Sequence, residues 1–408
     1  MVGTPVSAIV RRTLLLLGLC VLNCAAGEAA PPAEPTPAPA VEGEEGAASS
    51  ESEDEVHALL AKRDREKGAQ RFGKDPAFLV FPRPLDRNEK AKEMLTPEVA
   101  AMTEKALAFL ARTQDADGGW SDKQYPSNTG VASLACLAMM AEGSQPRVGR
   151  FGKHIDRGME FLLKNVQSSG VIAGKGSNPY GPMYEHAFST LALLLAQGDM
   201  PWRPETRDAV AKAIQAIGKA QHLDGGWRYG FTREGSSDLS VTANVIWVLR
   251  MAKKSGFSVS AEAIAKGVKY VETCSRPDGT FRYRQFGLHA GPSLGGIGII
   301  AMAGNGALDH DLIPAARDRI DYDYRRYTID DLRQREYFVY QCFYASLAMY
   351  SVGDKYWLPF YPKAVKVLAA LQKPDGEFTD DFGNSVYTTA MAAIVLQAPM
   401  GYMPIYER

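Results

Sequence analysis

Tyr184, Glu185 and His186 stand side by side, and Asp238 and Ser240 form a second polar pair further along the chain. An imidazole beside a carboxylate is an acid/base pair suited to neutral pH, so His186, Glu185 and Asp238 are the catalytic candidates. Each also has a scaffold role open to it: His186 as a hydrogen-bonded core histidine, Glu185 as a cap or a solvent-facing side chain, Asp238 as a helix N-cap. Around them the apolar stretches are rich in rings: Phe188, Trp247, Tyr337, Phe338, Tyr340, Phe343, Tyr344 and Tyr387. Ring faces stabilise a cation or carbocation, and tyrosine hydroxyls over an apolar floor hold a sugar ring; packing is the third use. Tyr184, Ser240, Trp247, Tyr337, Tyr340, Tyr344 and Tyr387 are accordingly expected to line a cavity, joined by His289 from the loop Gly287 to Pro292.

Other polar stretches carry less. Asp321 to Tyr327, with Asp330 and Asp331, is charged and aromatic but lacks the helix-spaced carboxylates that hold a magnesium diphosphate, and reads as a salt-bridged loop over one mouth of the fold. Cys136, Cys274 and Cys342 lie in apolar helical patterns without a Cys-x-x-Cys, which argues for buried thiols rather than a disulfide framework. No metal site and no cofactor is expected.

The elements that must position these residues follow from a repeat. Gln-x-x-Asp-Gly-Gly-Trp occurs at Gln114 to Trp120 and at Gln221 to Trp227, with weaker copies at Ser275 to Phe281 and Gln372 to Phe378. The aromatics at 120, 227, 281 and 378 are spaced by multiples of roughly 50 residues, a repeat period. Each copy ends a helix with one apolar stripe and precedes a helix apolar nearly all round, such as Val131 to Met140. Tracing the pattern gives six hairpins. Their outer helices are expected near 97–113, 155–167, 204–221 and 260–274, in an irregular segment 309–333, and at 362–372. Inner helices are expected near 128–140, 183–197, 239–252, 294–303, 336–350 and 387–397. An inner helix apolar on every side must be sandwiched between an outer ring and a central cavity, so the expected fold is all-α, a closed (α/α)6 toroid over 96–408 rather than an open solenoid. The heads of the inner helices would then gather at one mouth. Function is expected where the repeat departs from its own rule, at 184–186 and in 309–333.

At these turns the sequence resembles the superfamily of squalene and oxidosqualene cyclases and protein prenyltransferases, and is similar to its secreted bacterial prenyltransferase/squalene oxidase repeat proteins. The resemblance implies the toroid and an isoprenoid in its centre. The inherited chemistry is incomplete. Where the cyclases carry Asp-x-Asp-Asp-Thr-Ala, this chain has Asp238 to Ala243, with Ser240 at the proton-donating position. Where the prenyltransferases hold zinc, Cys342 has its counterpart, but Tyr340 and Thr388 replace the other ligands.

The chain of 408 residues is 46% hydrophobic with a formal net charge of -1, which leaves no basic field for nucleic acid. Arg11-Arg12 followed by the apolar run Thr13 to Leu22 and small residues to Ala26 has the layout of a signal peptide, too short to span a bilayer. Residues 27–55 read as a disordered acidic linker and 56–95 as an extension packing on the ring. The expected location is therefore periplasmic or extracellular, with Cys24 a lipidation alternative and peripheral membrane contact allowed. Three functions compete: binding or transforming an isoprenoid or other apolar small molecule, a non-catalytic envelope scaffold, and a polysaccharide lyase or hydrolase.

Overall fold

Outer and inner helices alternate along the chain. The computed structural model describes residues 89–174, 181–287, 290–291, 293–303, 308 and 310–401. The outer helices are α1 (Pro97–Arg112), α3 (Gly152–Lys164), α5 (Glu205–Lys219), α7 (Ala261–Cys274), α9 (Ile313–Arg326) and α11 (Asp354–Leu371). The inner ones are α2 (Thr129–Ala141), α4 (Pro182–Ala196), α6 (Leu239–Lys254), α8 (Ser293–Ala303), α10 (Phe338–Val352) and α12 (Val386–Leu396). Each inner helix packs on the next, and α12 packs on α2, so the inner ring is closed. The all-α toroid is the observed fold.

The sequence suggests that each outer helix leans on the inner helix that follows it. In the structure the larger interface is with the inner helix before it: α3 on α2, α5 on α4, α7 on α6, α9 on α8 and α11 on α10. By the same rule α1 packs on α12, joining the first outer helix to the last inner one. The short helix Glu89–Lys92 adds to this seam by contacting residues 398–400.

The repeat motif explains that displacement. Gln114 Nε2 donates to Gly118 O in its own turn and to His154 O in α3, both at 2.9 Å. Gln221 does the same to Gly225 O and Ala263 O at the head of α7, at 2.7 and 2.8 Å. Gln372 reaches Met102 O in α1 at 2.8 Å and thereby ties the last turn to the first helix. The motif ties a helix to its own turn and also staples one outer helix to the next. Gly118 and Gly225, at φ +91° and +92°, sit so close to Arg157 O and Lys266 O that an added Cβ would lie at 2.5 and 2.6 Å. Only glycine meets both demands. Trp120 and Trp227 are fully buried, and their indole N–H groups satisfy Leu110 O and Ile217 O in the last turns of α1 and α5.

The second turn keeps the repeat geometry although its sequence, Val166 to Ile172, departs from the motif: Gly170 at φ +86° abuts Lys212 O, and Ile172 is buried in the aromatic position. Two sequence expectations are corrected. The stretch expected as an irregular loop at 309–333 is largely helical, α9 followed by the short helix Ile329–Arg333, which docks on α11. Asp323 is therefore buried on an outer helix between Arg319 and Arg335, at 3.3 and 3.9 Å, rather than solvated above a mouth. Last, α11 begins at Asp354, not Pro362, and carries Pro359 and Pro362 inside it. The buried rings of Trp357, Phe360 and Tyr361 hold this segment helical against a proline penalty of about 3 kcal/mol each.

Cys136, Cys274 and Cys342 are buried free thiols. Among the described residues no helix is long and apolar enough to cross a membrane. Residues 1–26 and 27–55, expected as a leader and an acidic linker, residues 56–88 of the expected extension, and His289 lie outside the described residues.

Candidate functional site

All six inner helices begin at the same end of the ring, and there they enclose a cavity of about 450 Å³. Its floor is Val131 and Leu134 from α2, Phe188 from α4, Leu294 from α8 and Met391 from α12. Its wall is tyrosine: Tyr125, Tyr184, Tyr229, Tyr283, Tyr337, Tyr340 and Tyr387. Glu185, Asp380, Gln124, Gln341, Asn128 and Ser240 supply the remaining polar groups.

The rings are held by one another. Tyr184 and Tyr340 approach across the cavity with hydroxyls 3.4 Å apart, Tyr340 stands edge-on to Tyr344, and Tyr125 edge-on to Tyr387. Tyr229 and Tyr283 are joined through their hydroxyls. Tyr337 is held at φ 56°, an uncommon conformation for a tyrosine, with its ring on Phe382 and its N–H donated to Asp381 Oδ2 at 3.1 Å.

Capping crosses from one hairpin to its neighbour. Glu185 Oε2 accepts from Thr129 N, Thr129 Oγ1 and Gly174 N, and so caps α2 from α4. Asp122 accepts from Ser385 N and Tyr387 N at the head of α12, and burial raises its pKa despite these bonds. Backbone carbonyls of Tyr229 and Tyr283 accept from Met183 N in α4 and Leu239 N in α6, both at 3.0 Å. Asp380 accepts from Phe382 N, Asn384 N, Asn384 Nδ2 and the Tyr387 hydroxyl, while Asn384 is paired with Gln124.

Of the residues expected from sequence, Tyr184, Glu185, Ser240, Tyr337, Tyr340 and Tyr387 meet in this wall. Four others do not line it. His186 is fully buried, its Nδ1 accepts from Ile172 N at 2.9 Å and its Nε2 faces Ala213 O at 3.0 Å. Burial lowers its pKa from 6.5 to about 4, so the ring is neutral at pH 7 with both nitrogens engaged by backbone. Thr242 and Thr389 occupy the same slot in their hairpins, accepting from Trp227 N and Phe378 N. His186 thus holds a turn, and the acid/base pair with Glu185 is not formed. Asp238 is fully buried and caps α6 by accepting from Val241 N and Ser240 Oγ at 2.9 and 2.8 Å; burial raises its pKa. Tyr344 lies behind Tyr340 with its hydroxyl on Asn244 Oδ1 at 2.9 Å, and Trp247 is buried along α6 beyond the mouth.

Sequence reasoning missed Tyr125, Tyr229, Tyr283, Asp122 and Asp380. A signal existed: Asp122, Tyr229, Tyr283 and Asp380 each lie two residues past the motif aromatic at 120, 227, 281 or 378. Among the described residues no group of three or more His, Cys, Asp or Glu side chains could hold a metal ion.

This architecture places the chain among α/α toroids. Solved structures sharing it include the type II terpene cyclase MstE from Scytonema, 14% identical with a TM-score of 0.52, over 75% of this chain and 100% of that one. The GH76A α-1,6-mannanase from Salegentibacter is 9% identical with a TM-score of 0.54, over 73% and 98%. A protein from Actinoplanes is 17% identical with a TM-score of 0.50, over 75% and 100%. No family model matches the sequence, and no curated protein sequence matches it. At these identities the likeness shows the fold alone.

Proposed function

We propose that this is an exported protein that binds an isoprenoid or similar apolar small molecule in the central cavity, without performing acid-initiated cyclisation. The observation that carries the reading is the cavity: an apolar floor of Val131, Leu134, Phe188, Leu294 and Met391 under a wall of tyrosines, within the size range of small-molecule sites. The fold is shared with MstE, which has been solved with geranylgeranyl dihydroxybenzoate as substrate, and that likeness adds weight.

Binding is favoured over turnover by the polar groups. Ser240 stands where the cyclases place their proton donor, and a hydroxyl does not protonate an alkene. Glu185 and Asp380 already accept hydrogen bonds from backbone and side chains, which suits capping rather than proton donation.

Organic extraction of the purified chain, followed by mass spectrometry, is expected to yield a bound isoprenoid, and Phe188→Asp to abolish its retention while the helical signal persists. Repeated extractions that yield none, together with no binding of added farnesol, would defeat the reading. A glycan enzyme is the second reading, supported by the amides, hydroxyls and two carboxylates at the mouth and by the fold shared with a mannanase. Turnover of any member of a broad polysaccharide panel, lost in Asp380→Asn, would put it first.

A further inference from the structure

We infer that the ligand of this cavity is an organic cation: an amphiphile whose ammonium group sits beside Glu185 and Asp380 and whose apolar body lies on the floor. This rests on the cavity-binding reading above and adds to it the ligand's charge. The lining contains two acidic side chains and, among the described residues, no lysine, arginine or histidine. Neither acid has a salt-bridge partner among the described residues, although Glu185 is only 4% exposed. Among the described residues all hydrogen bonds to Glu185 fall on Oε2, which leaves Oε1 as acceptor for a ligand.

The remaining wall is aromatic. Seven tyrosines, with Phe188 and Phe382, surround the space, and stacked ring faces and edges attract an alkylammonium that must shed its water to enter. Glu185 and Asp380 lie on either side of the segment leading into α2: Glu185 caps Thr129, and Asp380 holds Asn384, which pairs with Gln124. The positive ends of the inner helices oppose a cation at this mouth. They are answered in place by carboxylates that cap α2, α6 and α12, from Glu185, Asp238 and Asp122. Arg228 and Arg284 lie over the rings of Tyr229 and Tyr283, at 5.7 and 5.6 Å, outside the lining. Exposed Lys123 lies against Gly383, also outside it. No described cationic side chain is therefore among the residues that line the cavity, whereas a buried acid without a counter-ion is stabilised by a cationic ligand.

Calorimetric titration of the purified full chain with three probes sharing one hydrocarbon tests this: geranyl-trimethylammonium, geraniol and geranyl monophosphate at one ionic strength. The ammonium is expected to bind about tenfold tighter than geraniol, with the phosphate weakest. Asp380→Asn should reduce the ammonium's advantage over geraniol, read as the ratio of the two affinities in the variant against the same ratio in the unaltered chain. Glu185→Gln should do the same, and because Glu185 also caps α2, the three-probe comparison on the unaltered chain decides the question even if that variant misfolds. Geraniol binding as tightly as the ammonium, or the phosphate binding more tightly, overturns the inference and leaves the apolar cavity standing. Binding of none of the three removes the cavity reading and the inference with it.

Discussion

The outer rim and the inner mouth of this ring are built on opposite rules. At the rim one turn follows an outer helix five times among the described residues, at 115–119, 167–171, 222–226, 276–280 and 373–377, with a pair of backbone hydrogen bonds that recurs at the mouth in 380–384. At the mouth the inner-helix heads differ: Asn128 and Val131, Tyr184 and Glu185, Ser240, Leu294, Tyr337 and Tyr340, Tyr387. The rim repeats because ring closure sets every outer helix the same geometric task, to meet its neighbour backbone to backbone. The mouth does not repeat because its groups face a shared space, where each contributes a different part of one surface. Stability should therefore live at the rim and ligand selectivity at the mouth.

The sharpest way to break that division is Trp227→Ala. Its fully buried indole also satisfies Ile217 O, so removal is expected to cost about 3–5 kcal/mol in denaturant melts. A loss below 1 kcal/mol would mean that the rim does not carry the stability.

His186 gives a pH test that places it on the rim side of the comparison. Its folded pKa of about 4 lies below its ordinary 6.5, so the unfolded chain takes up the proton first. Stability from this group is complete above about pH 6.5 and is lost as pH falls toward 4, reaching about 3 kcal/mol. Thermal melts across that window should show the decline, with the slope reduced in His186→Asn. An activity-linked pKa near 7 that vanishes in the same variant would return His186 to the site.

A paired glycine test is smaller. Gly225→Ala forces a Cβ to 2.6 Å from Lys266 O and should cost about 3 kcal/mol, whereas Gly235→Ala, at φ +102° with no heavy atom within 4 Å, should cost only about 1 kcal/mol of backbone strain. Equal losses would show that strain alone, without inter-helix contact, explains the repeated geometry of the turns.

The smallest stability change belongs to the mouth. Tyr340→Phe removes one hydroxyl facing Tyr184 and should alter unfolding by less than about 0.5 kcal/mol. Its effect is expected in the affinity and selectivity of a cavity ligand, read by the same titrations.

Much of the fold was legible because helical periodicity and the Asp-Gly turns are local signals. Thr96, Asn128, Asp238 and Ser260 each cap the helix that the pattern begins there. Legibility failed where burial outweighed local preference, as in α11, whose two prolines mimic a helix start, and in α9, whose charge conceals the buried Asp323.

The site divided in the same way. Tyr184, Glu185 and Tyr340 were legible as polar or aromatic residues at the heads of apolar helices, and the sequence alone determined that such heads exist and that Asp238 and Ser240 stand at one of them. Which of them face the cavity was decided only by the closed ring. Glu185 and His186 are adjacent on α4, yet consecutive helical positions point about 100° apart, so one lines the cavity and the other enters the layer between the rings. Tyr229, Tyr283 and Asp380 come from turns whose sequence resembles a structural repeat, and they reach the mouth because each turn crosses to cap or flank a neighbouring inner helix. That crossing is a long-range consequence of closure, and no local pattern contains it.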